Sequence, residues 1–390
     1  MVALSTGAVS ATGMGGPVSS ITRDRSGAWR ARYRDPEGKQ RSRNFSRRRD
    51  AELFLTSTEH AKASGSYVDP VLGKITFDTW AKEWRAGIVD LRPSTLARDD
   101  GYLKRYLQPT FGEKRLAEID HAMVRAWVAG LTARGLAPST VVLAGLLMRK
   151  IMATAVAAGR IPASPCNGIR LPRIEREEAR FLAPTEIGAL TDTINERYRG
   201  LVMLGAFGGL RIGEMLGLRA KHLDLLHGRV NVTEILVEVS GQLYFGPPKT
   251  RAGRRAVPLP RVAIDALDDH LRRYPAAQGD LVFSAPEGGP VRLASWRRRF
   301  WKPAVEASGL SPLRPHDLRH TAVALWIAAG ATPREIATRA GHTSVVTVLD
   351  RYGHLFPDSE QKVNAALDVL ATDAGISRSA QVVSIREVYS

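Results

Sequence analysis

A single cysteine, Cys166, stands among 390 residues. It excludes an internal disulfide and any cysteine-built zinc cluster, and it fits a chain kept in a reducing cytosol. No stretch of about 18 consecutive apolar residues is evident, so nothing is expected to span a membrane. The opening MVALSTGAVSATGMGG has neither a basic start nor a sustained apolar run, so no secretory signal is expected. No repeat of fixed period is visible. Acidic residues are in short supply: 39 Asp and Glu face 56 Lys and Arg, a formal net charge of +17 with pI near 10.4. Such an imbalance points to a polyanionic partner, first of all nucleic acid, with an anionic membrane surface as the second choice.

The charge is not spread evenly. Residues 19–49 hold eleven Lys or Arg against Asp24, Asp35 and Glu37, about half of the whole excess. Short alternating runs occur there, Trp29-Arg30-Ala31-Arg32-Tyr33-Arg34 being the clearest, and Asp35-Pro36-Glu37-Gly38 is a turn signal. A three-stranded antiparallel sheet is expected, with Trp29, Ala31 and Tyr33 on one face and Arg30, Arg32 and Arg34 on the other. Ser46 would cap a helix through Arg47–Ala63 with Ala51, Phe54 and Leu55 as its apolar stripe. A basic sheet face of this width could enter a major groove, with Arg23, Arg30, Arg32, Arg34, Arg41 and Arg43 as candidate DNA contacts.

The remainder reads as two further domains. Residues 1–18, rich in Gly, Ser, Thr and Ala, are expected to be a disordered tail, and residues 64–75 a linker. From residue 76 to 158 the periodicity is helical, with start signals at Pro93-Ser94, Asp120 and Pro138-Ser139 and an apolar set of Phe77, Trp80, Ala81 and Trp84. Arg98, Lys104, Arg105, Arg149 and Lys150 would lie on exposed faces, Arg98 and Lys104 being candidate DNA contacts. Residues 159–180 look like a second linker. Residues 181–372 mix helices with one hairpin, Arg229–Val237 and Gln242–Phe245 followed by Arg254–Leu259, and residues 373–390 form a weakly periodic tail.

Four segments of this last domain bear chemistry. In Gly208-Gly209-Leu210-Arg211-Ile212-Gly213-Glu214, two glycines open a turn before a helix. Arg211 then sits at a helix N-terminus, already favourable to anions, with Glu214 three residues on and able to hold the guanidinium. Pro247-Pro248-Lys249-Thr250-Arg251-Ala252-Gly253-Arg254-Arg255 is a hairpin tip loaded with cations; Arg251 and Arg254 are candidate DNA contacts. In Arg314-Pro315-His316-Asp317-Leu318-Arg319-His320, His316 and Arg319 share a helical face. His316 and His320 have metal-ligand spacing, but the interposed Arg319 would repel a cation and no carboxylate pair completes a site, so no metal is expected. In Gly341-His342 through Tyr352-Gly353, the tyrosine closes a helix that the glycine is expected to stop. Each segment alone also admits a structural reading: an ion pair, soluble surface, a helix start, core packing or a plain helix-turn-helix.

Together the four segments resemble the tyrosine recombinase, or phage integrase, family. Its arginine in a GLRxxE-type segment, lysine on a β-hairpin, H-x-x-R pair, GH box and following tyrosine fall here on Arg211, Lys249, His316 with Arg319, His342 and Tyr352. The family also carries a helical core-binding domain, matching residues 76–158, and many members add an N-terminal three-stranded arm-binding domain, which residues 19–63 look like. The fold implied is multidomain and mainly α with small β elements, ending in a mixed α+β catalytic domain.

The reaction implied is a phosphodiester transesterification through Tyr352, with no ATP required because bond number is conserved, and with no metal or cofactor expected. Arg211 and Arg319 would hold the equatorial oxygens of the phosphorane, an arrangement in which fixed cations replace metal ions. His316 would be the general base, His342 a donor to the phosphate and Lys249 the acid for the leaving hydroxyl. The resemblance further implies double-stranded DNA with core-type and arm-type sites, a homotetramer on DNA, a host DNA-bending protein and an excision factor. The competing expectations are a type IB topoisomerase and a DNA-binding regulator without catalysis.

Overall fold

The computed structural model describes residues 19–63, 72–175, 180–356 and 360–375. The chain divides into two compact units, one up to residue 176 and one from residue 177. The first holds two separate cores, so the expected N-terminal and helical modules are both present.

Strands β1 (Ser19–Arg23), β2 (Trp29–Arg34) and β3 (Gln40–Phe45) form an antiparallel sheet in sequence order, as expected. Its two turns are built by aspartates. Asp24 accepts from the N–H groups of Ser26 and Ala28, and Asp35 from those of Glu37 and Lys39. The helix α1 (Arg48–Ala63) packs Ala51 and Leu55 against Ala31 and Tyr33. It starts at Arg48, with Arg47 rather than Ser46 accepting the first helical bond, from Ala51.

The register splits the six candidate arginines between the two faces. Trp29 pairs with Phe45, Ala31 with Arg43 and Tyr33 with Arg41, and residues directly opposite each other share a face. Arg43 therefore lies on the helix side, 5.3 Å over the rings of both Phe45 and Phe54; Arg41 is paired with Asp35; and Arg23 stands over Trp29. Only Arg30, Arg32 and Arg34 point to the open face, beside Ser20, Thr22, Ser42 and Asn44.

The second module contains α2 (Phe77–Ala86), α3 (Pro93–Tyr102), α4 (Gln108–Phe111), α5 (His121–Ala133) and α6 (Pro138–Ala157). Thr76 caps α2 and Asp120 caps α5, while α3 runs into α4 through a π-helical turn at Leu103–Leu107. The indoles of Trp80 and Trp127 are buried with their N–H groups donated to the carbonyls of Ile151 and Tyr106. Two sequence expectations change. Ile161, Cys166 and Ile169 belong to this core, so the connecting segment is shorter than 159–180. Arg149 is not a free surface cation but donates to the carbonyl of Ile169. Helix α6, moreover, is long and apolar enough by length and composition to cross a membrane; its Val141, Ala144, Met148, Ile151 and Met152 fill the bundle core.

The second unit contains α7 (Pro184–Thr193), α8 (Arg199–Gly208), α9 (Ile212–Leu216), strands β4 (Leu223–Asp224), β5 (Arg229–Val232), β6 (Ile235–Val239), β7 (Gln242–Gly246) and β8 (Arg255–Pro258), then α10 (Arg261–Arg273), α11 (Leu293–Trp296), α12 (Lys302–Ala307), α13 (Asp317–Ala328), α14 (Pro333–Ala340), α15 (Val346–Tyr352) and α16 (Glu360–Asp373). The expected hairpin is two structures. The run 229–237 breaks at Thr233-Glu234, so that β5 pairs with β4 and β8 in one sheet while β6 and β7 form a separate ribbon turning at Ser240-Gly241. Lys249 consequently lies in the loop that joins the ribbon to the sheet, not at a hairpin tip. Of the terminal segments assigned from sequence, 1–18 and 376–390 lie outside the described residues, as do 64–71 of the first linker and 176–179 of the second.

Helices α8 and α13 cross closely at Gly205, where an added Cβ would stand 2.9 Å from Leu318. The indole N–H of Trp326 on α13 is donated to the carbonyl of Phe207 at the end of α8. Gly209 follows at φ +64°, with Trp326 occupying the place of any Cβ. These contacts fix the exit of α8, and therefore where Arg211 begins.

Candidate active site

Arg211 occupies the N-cap position of α9, as its motif suggested. Its backbone N–H and its Nη1 both donate to Glu214, each at 2.9 Å, and Nη2 reaches the carbonyl of Gly341 at 3.4 Å. Glu214, 3% exposed, carries a second cation that sequence reasoning missed. Arg255, the first residue of β8, places Nη1 and Nη2 at 3.1 and 2.9 Å from the two carboxylate oxygens and donates Nε to the carbonyl of Arg339 at 2.6 Å. Burial alone would raise the Glu214 pKa, but Arg255, Arg211 and the Arg211 N–H outweigh it and hold the carboxyl below its ordinary range. The sequence signal was faint: one more arginine in a run of cations.

Arg319 is buried at 3% exposure on the first turn of α13. Nη1 donates to the carbonyl of Gly209 at 2.6 Å, and Nη2 to the carbonyl of Ala340 and to Nε2 of His342 at 3.0 Å. Of five guanidinium N–H bonds, three are taken among the described residues. Desolvation first, and the neighbouring Arg211 next, lower its pKa to about 9, so it stays a cation at neutral pH.

Arginine only donates, so His342 Nε2 must accept and the proton sits on Nδ1. That Nδ1 is buried and finds no partner among the described residues. A buried unsatisfied donor costs roughly 1–3 kcal/mol, which an arriving acceptor would recover. A cavity of ≈ 350 Å³ lies alongside, lined by Arg211, Lys249 and His342 among others. The three residues reach it from α9, from the β7–β8 loop and from the turn after α14. Gly341 makes this assembly sterically possible: its φ is +64°, and a Cβ would sit 2.8 Å from the carbonyl of Ala252 in the lysine loop.

Tyr352 ends α15, 1% exposed. Gly353 does not stop the helix in a left-handed conformation; its φ is −55°, and the chain tightens into a 3-10 turn through Leu355. The phenolic oxygen is 2.6 Å from Nδ1 of His320, not from His316. His316 is exposed at the start of α13, with its ring edge-on to His320 at 4.9 Å between centroids. Burial raises the Tyr352 pKa, with Arg351 and Arg319 opposing. Burial followed by His316 and Arg351 brings His320 down to about 4; burial followed by Arg319 and Arg211 brings His342 to about 4. Partial desolvation, then Arg319 and Arg211, also lower His316.

A cavity lined by Arg211, Lys249 and the buried His342 donor suits a phosphodiester rather than a small neutral substrate, although Tyr352 is not part of its lining. Comparison with known proteins agrees. The Phage integrase family matches residues 180–358, and the phage integrase N-terminal SAM-like domain matches residues 76–132. The putative prophage phiRv2 integrase of Mycobacterium tuberculosis is 32% identical over 362 residues, covering 89% of this chain and 94% of that one. Among solved structures, the Tn1549 transposon integrase in complex with transposon right end DNA superposes with a TM-score of 0.64 at 19% identity, covering 76% of this chain and 100% of that one. The lambda integrase tetramer bound to a Holliday junction gives 0.54 at 18% identity, covering 85% and 97%. The chain belongs to the phage integrase family and is a tyrosine-type site-specific recombinase, an enzyme that breaks and rejoins DNA strands.

Two outcomes follow from this geometry. Replacing Glu214 by Leu leaves Arg255 buried without a counter-charge, and removing one partner of a buried pair costs roughly 3–5 kcal/mol; urea unfolding should show the loss, and an unchanged midpoint would refute the pairing. His320 and His342 are held neutral, with folded pKa values near 4 against an ordinary 6.5. The unfolded chain binds more protons between those values, so stability is full above about pH 6.5 and declines as pH falls toward 4. Thermal midpoints across this window should drop for the wild type and drop less for a variant with both histidines replaced by Asn.

Proposed function

We propose that this recombinase integrates phage or mobile-element DNA into a bacterial chromosome, with Tyr352 as its nucleophile. The observation carrying the reading is the convergence of Arg211, Lys249 and His342 on one cavity, with Arg319 bonded to His342 behind it.

Tyr352 Oη attacks a DNA phosphorus, the bond to the 5′ oxygen breaks, and a 3′-phosphotyrosine remains; a 5′-hydroxyl of a second DNA reverses the step. The phosphorane gathers negative charge on its equatorial oxygens. Arg211 and Arg319 meet that charge, and His342 Nδ1–H adds a third donor, in a setting whose dipoles are already fixed by the carbonyls of 209, 340 and 341. Removing one such donor typically costs about 2.7–4 kcal/mol of transition-state stabilisation. Lys249, exposed on its loop, protonates the departing 5′ oxygen, and His316 contacts the phosphate from the α13 side. Tyr352 is covered in the free protein, so cleavage awaits DNA.

The bundle of residues 76–158, with Arg98 and Lys104 outward, grips core-type sites. The catalytic units work as a tetramer on paired DNA, the assembly in which lambda integrase is seen bound to a Holliday junction. Arg251 and Arg254, both exposed next to Lys249, reach the same duplex. The N-terminal sheet binds arm-type DNA through Arg30, Arg32 and Arg34, and a host bending protein and an excision factor set the direction. The protein acts in the bacterial cytoplasm.

A nicked suicide duplex carrying the element's junction sequence tests the chemistry. The wild type should form a covalent protein–DNA band on a denaturing gel and Tyr352→Phe none; no band from either protein would leave only a DNA-binding regulator, and recombination between two plasmid-borne sites separates an integrase from a topoisomerase. Replacing Arg30, Arg32 and Arg34 with Ala should weaken arm-site binding and make it less dependent on salt, whereas the same change at Arg23, Arg41 and Arg43 should act mainly on the melting of the small domain. Equal losses of binding from both sets would reject the open face as the contact surface.

A further inference from the structure

The HxxR segment continues into a second histidine, and the resemblance assigns it nothing. We propose that His320, not His316, accepts the phenolic proton of Tyr352 as the phosphotyrosine bond forms. The inference rests on Tyr352 being the nucleophile.

Geometry carries it. His320 Nδ1 and Tyr352 Oη are 2.6 Å apart, with the two residues 7% and 1% exposed, so no water need mediate between them. Burial favours the neutral form of each group, and we take the tautomer that carries its proton on Nε2, in which the phenol donates and Nδ1 accepts. A neutral imidazole nitrogen on the nucleophile's own proton is the arrangement a general base requires. His316 is one helical turn back and edge-on to His320, and among the described residues it is His320 that is bonded to the phenol.

The charges around His320 tie its basicity to the substrate. Arg314, His316 and Asp317 face it from its own helix and the turn before, and Arg351 and Tyr352 from α15; Asp317 alone favours protonation. With cations in the majority and the ring buried, His320 is a weak base in the free protein. A phosphodiester seated near Arg211 and Arg319 brings negative charge into this field and raises the affinity of His320 for a proton. The step balances: Nδ1 takes the phenolic proton, Oη bonds to phosphorus, the bond from phosphorus to the 5′ oxygen breaks, and that oxygen takes a proton from Lys249. In the return step each proton moves back.

The test is single-turnover cleavage of the nicked suicide duplex by the full chain, followed from pH 5 to pH 8. His320→Asn keeps an acceptor oxygen near the Nδ1 position but cannot carry the proton away. It should slow cleavage by about 100-fold or more and abolish the acidic limb of the profile. Imidazole should restore part of the rate to His320→Ala, and His316→Asn, though slower, should keep the acidic limb. Cleavage by His320→Asn within a few-fold of wild type would reduce the contact to positioning, and faster cleavage would make it a resting-state latch; either overturns the proposal. So does loss of the limb in His316→Asn, a result that decides the matter even if the His320 variants do not fold. A covalent band from Tyr352→Phe would instead sink the nucleophile assignment.

Discussion

Everything in the catalytic unit hangs on one buried carboxylate. Glu214 is flanked by Arg211 from its own helix and Arg255 from the neighbouring strand, and Arg255 reaches on to the carbonyl of Arg339 at the end of α14. A single anion thus joins a helix start, a sheet edge and the turn that presents His342. Without it, three cations, Arg211, Arg255 and Arg319, would face one another at short range. With it, two of them are held in fixed orientation while the remaining positive potential is directed toward the cavity. The desolvation of Glu214 is the cost of that arrangement; the benefit is orientation, since a guanidinium held at both ends does not need to reorganise when a phosphate arrives.

The same economy explains why the histidines are neutral. Around Tyr352 the protein has gathered positive charge and excluded water, and both effects disfavour imidazolium. The site is therefore electrostatically incomplete by itself: an excess of cations, an unpaired His342 donor and a covered phenol. Under the proposed function, a DNA phosphate supplies the missing counter-charge. If Tyr352 is the nucleophile proposed above, coupling of this kind would keep it quiet when no DNA is bound.

The sequence was most legible where local chemistry decides structure. The aspartate turns of the N-terminal sheet, the Asp120 and Pro138 helix starts, and the Gly208-Gly209 turn before Arg211 all form as their residues dictate. It was least legible where distant segments meet. Nothing local to Arg255 distinguishes it from Arg251 or Arg254; only the fold turns one inward onto Glu214 and leaves the others outside. His320 had nothing but a rejected metal-ligand spacing to mark it, because spacing along a helix says which residues share a face, not what the face meets, and here it meets a tyrosine 32 residues away. Register was similarly hidden. Alternation placed Arg30, Arg32 and Arg34 correctly, but the faces of Arg23, Arg41 and Arg43 depend on cross-strand pairing that the sequence does not state.

Gly341 carries a consequence for how such a site can diverge. Where a methyl group would stand, the carbonyl of Ala252 and the side chain of Arg255 already crowd the space. The lysine loop and the histidine turn therefore gauge each other through a hydrogen atom. Two segments almost ninety residues apart cannot drift independently: lengthening one loop, or adding a single carbon at the glycine, moves Lys249 relative to Arg211 and His342. In this chain the clearance between these two loops is set like the gap of a calliper, by the one position where no side chain fits.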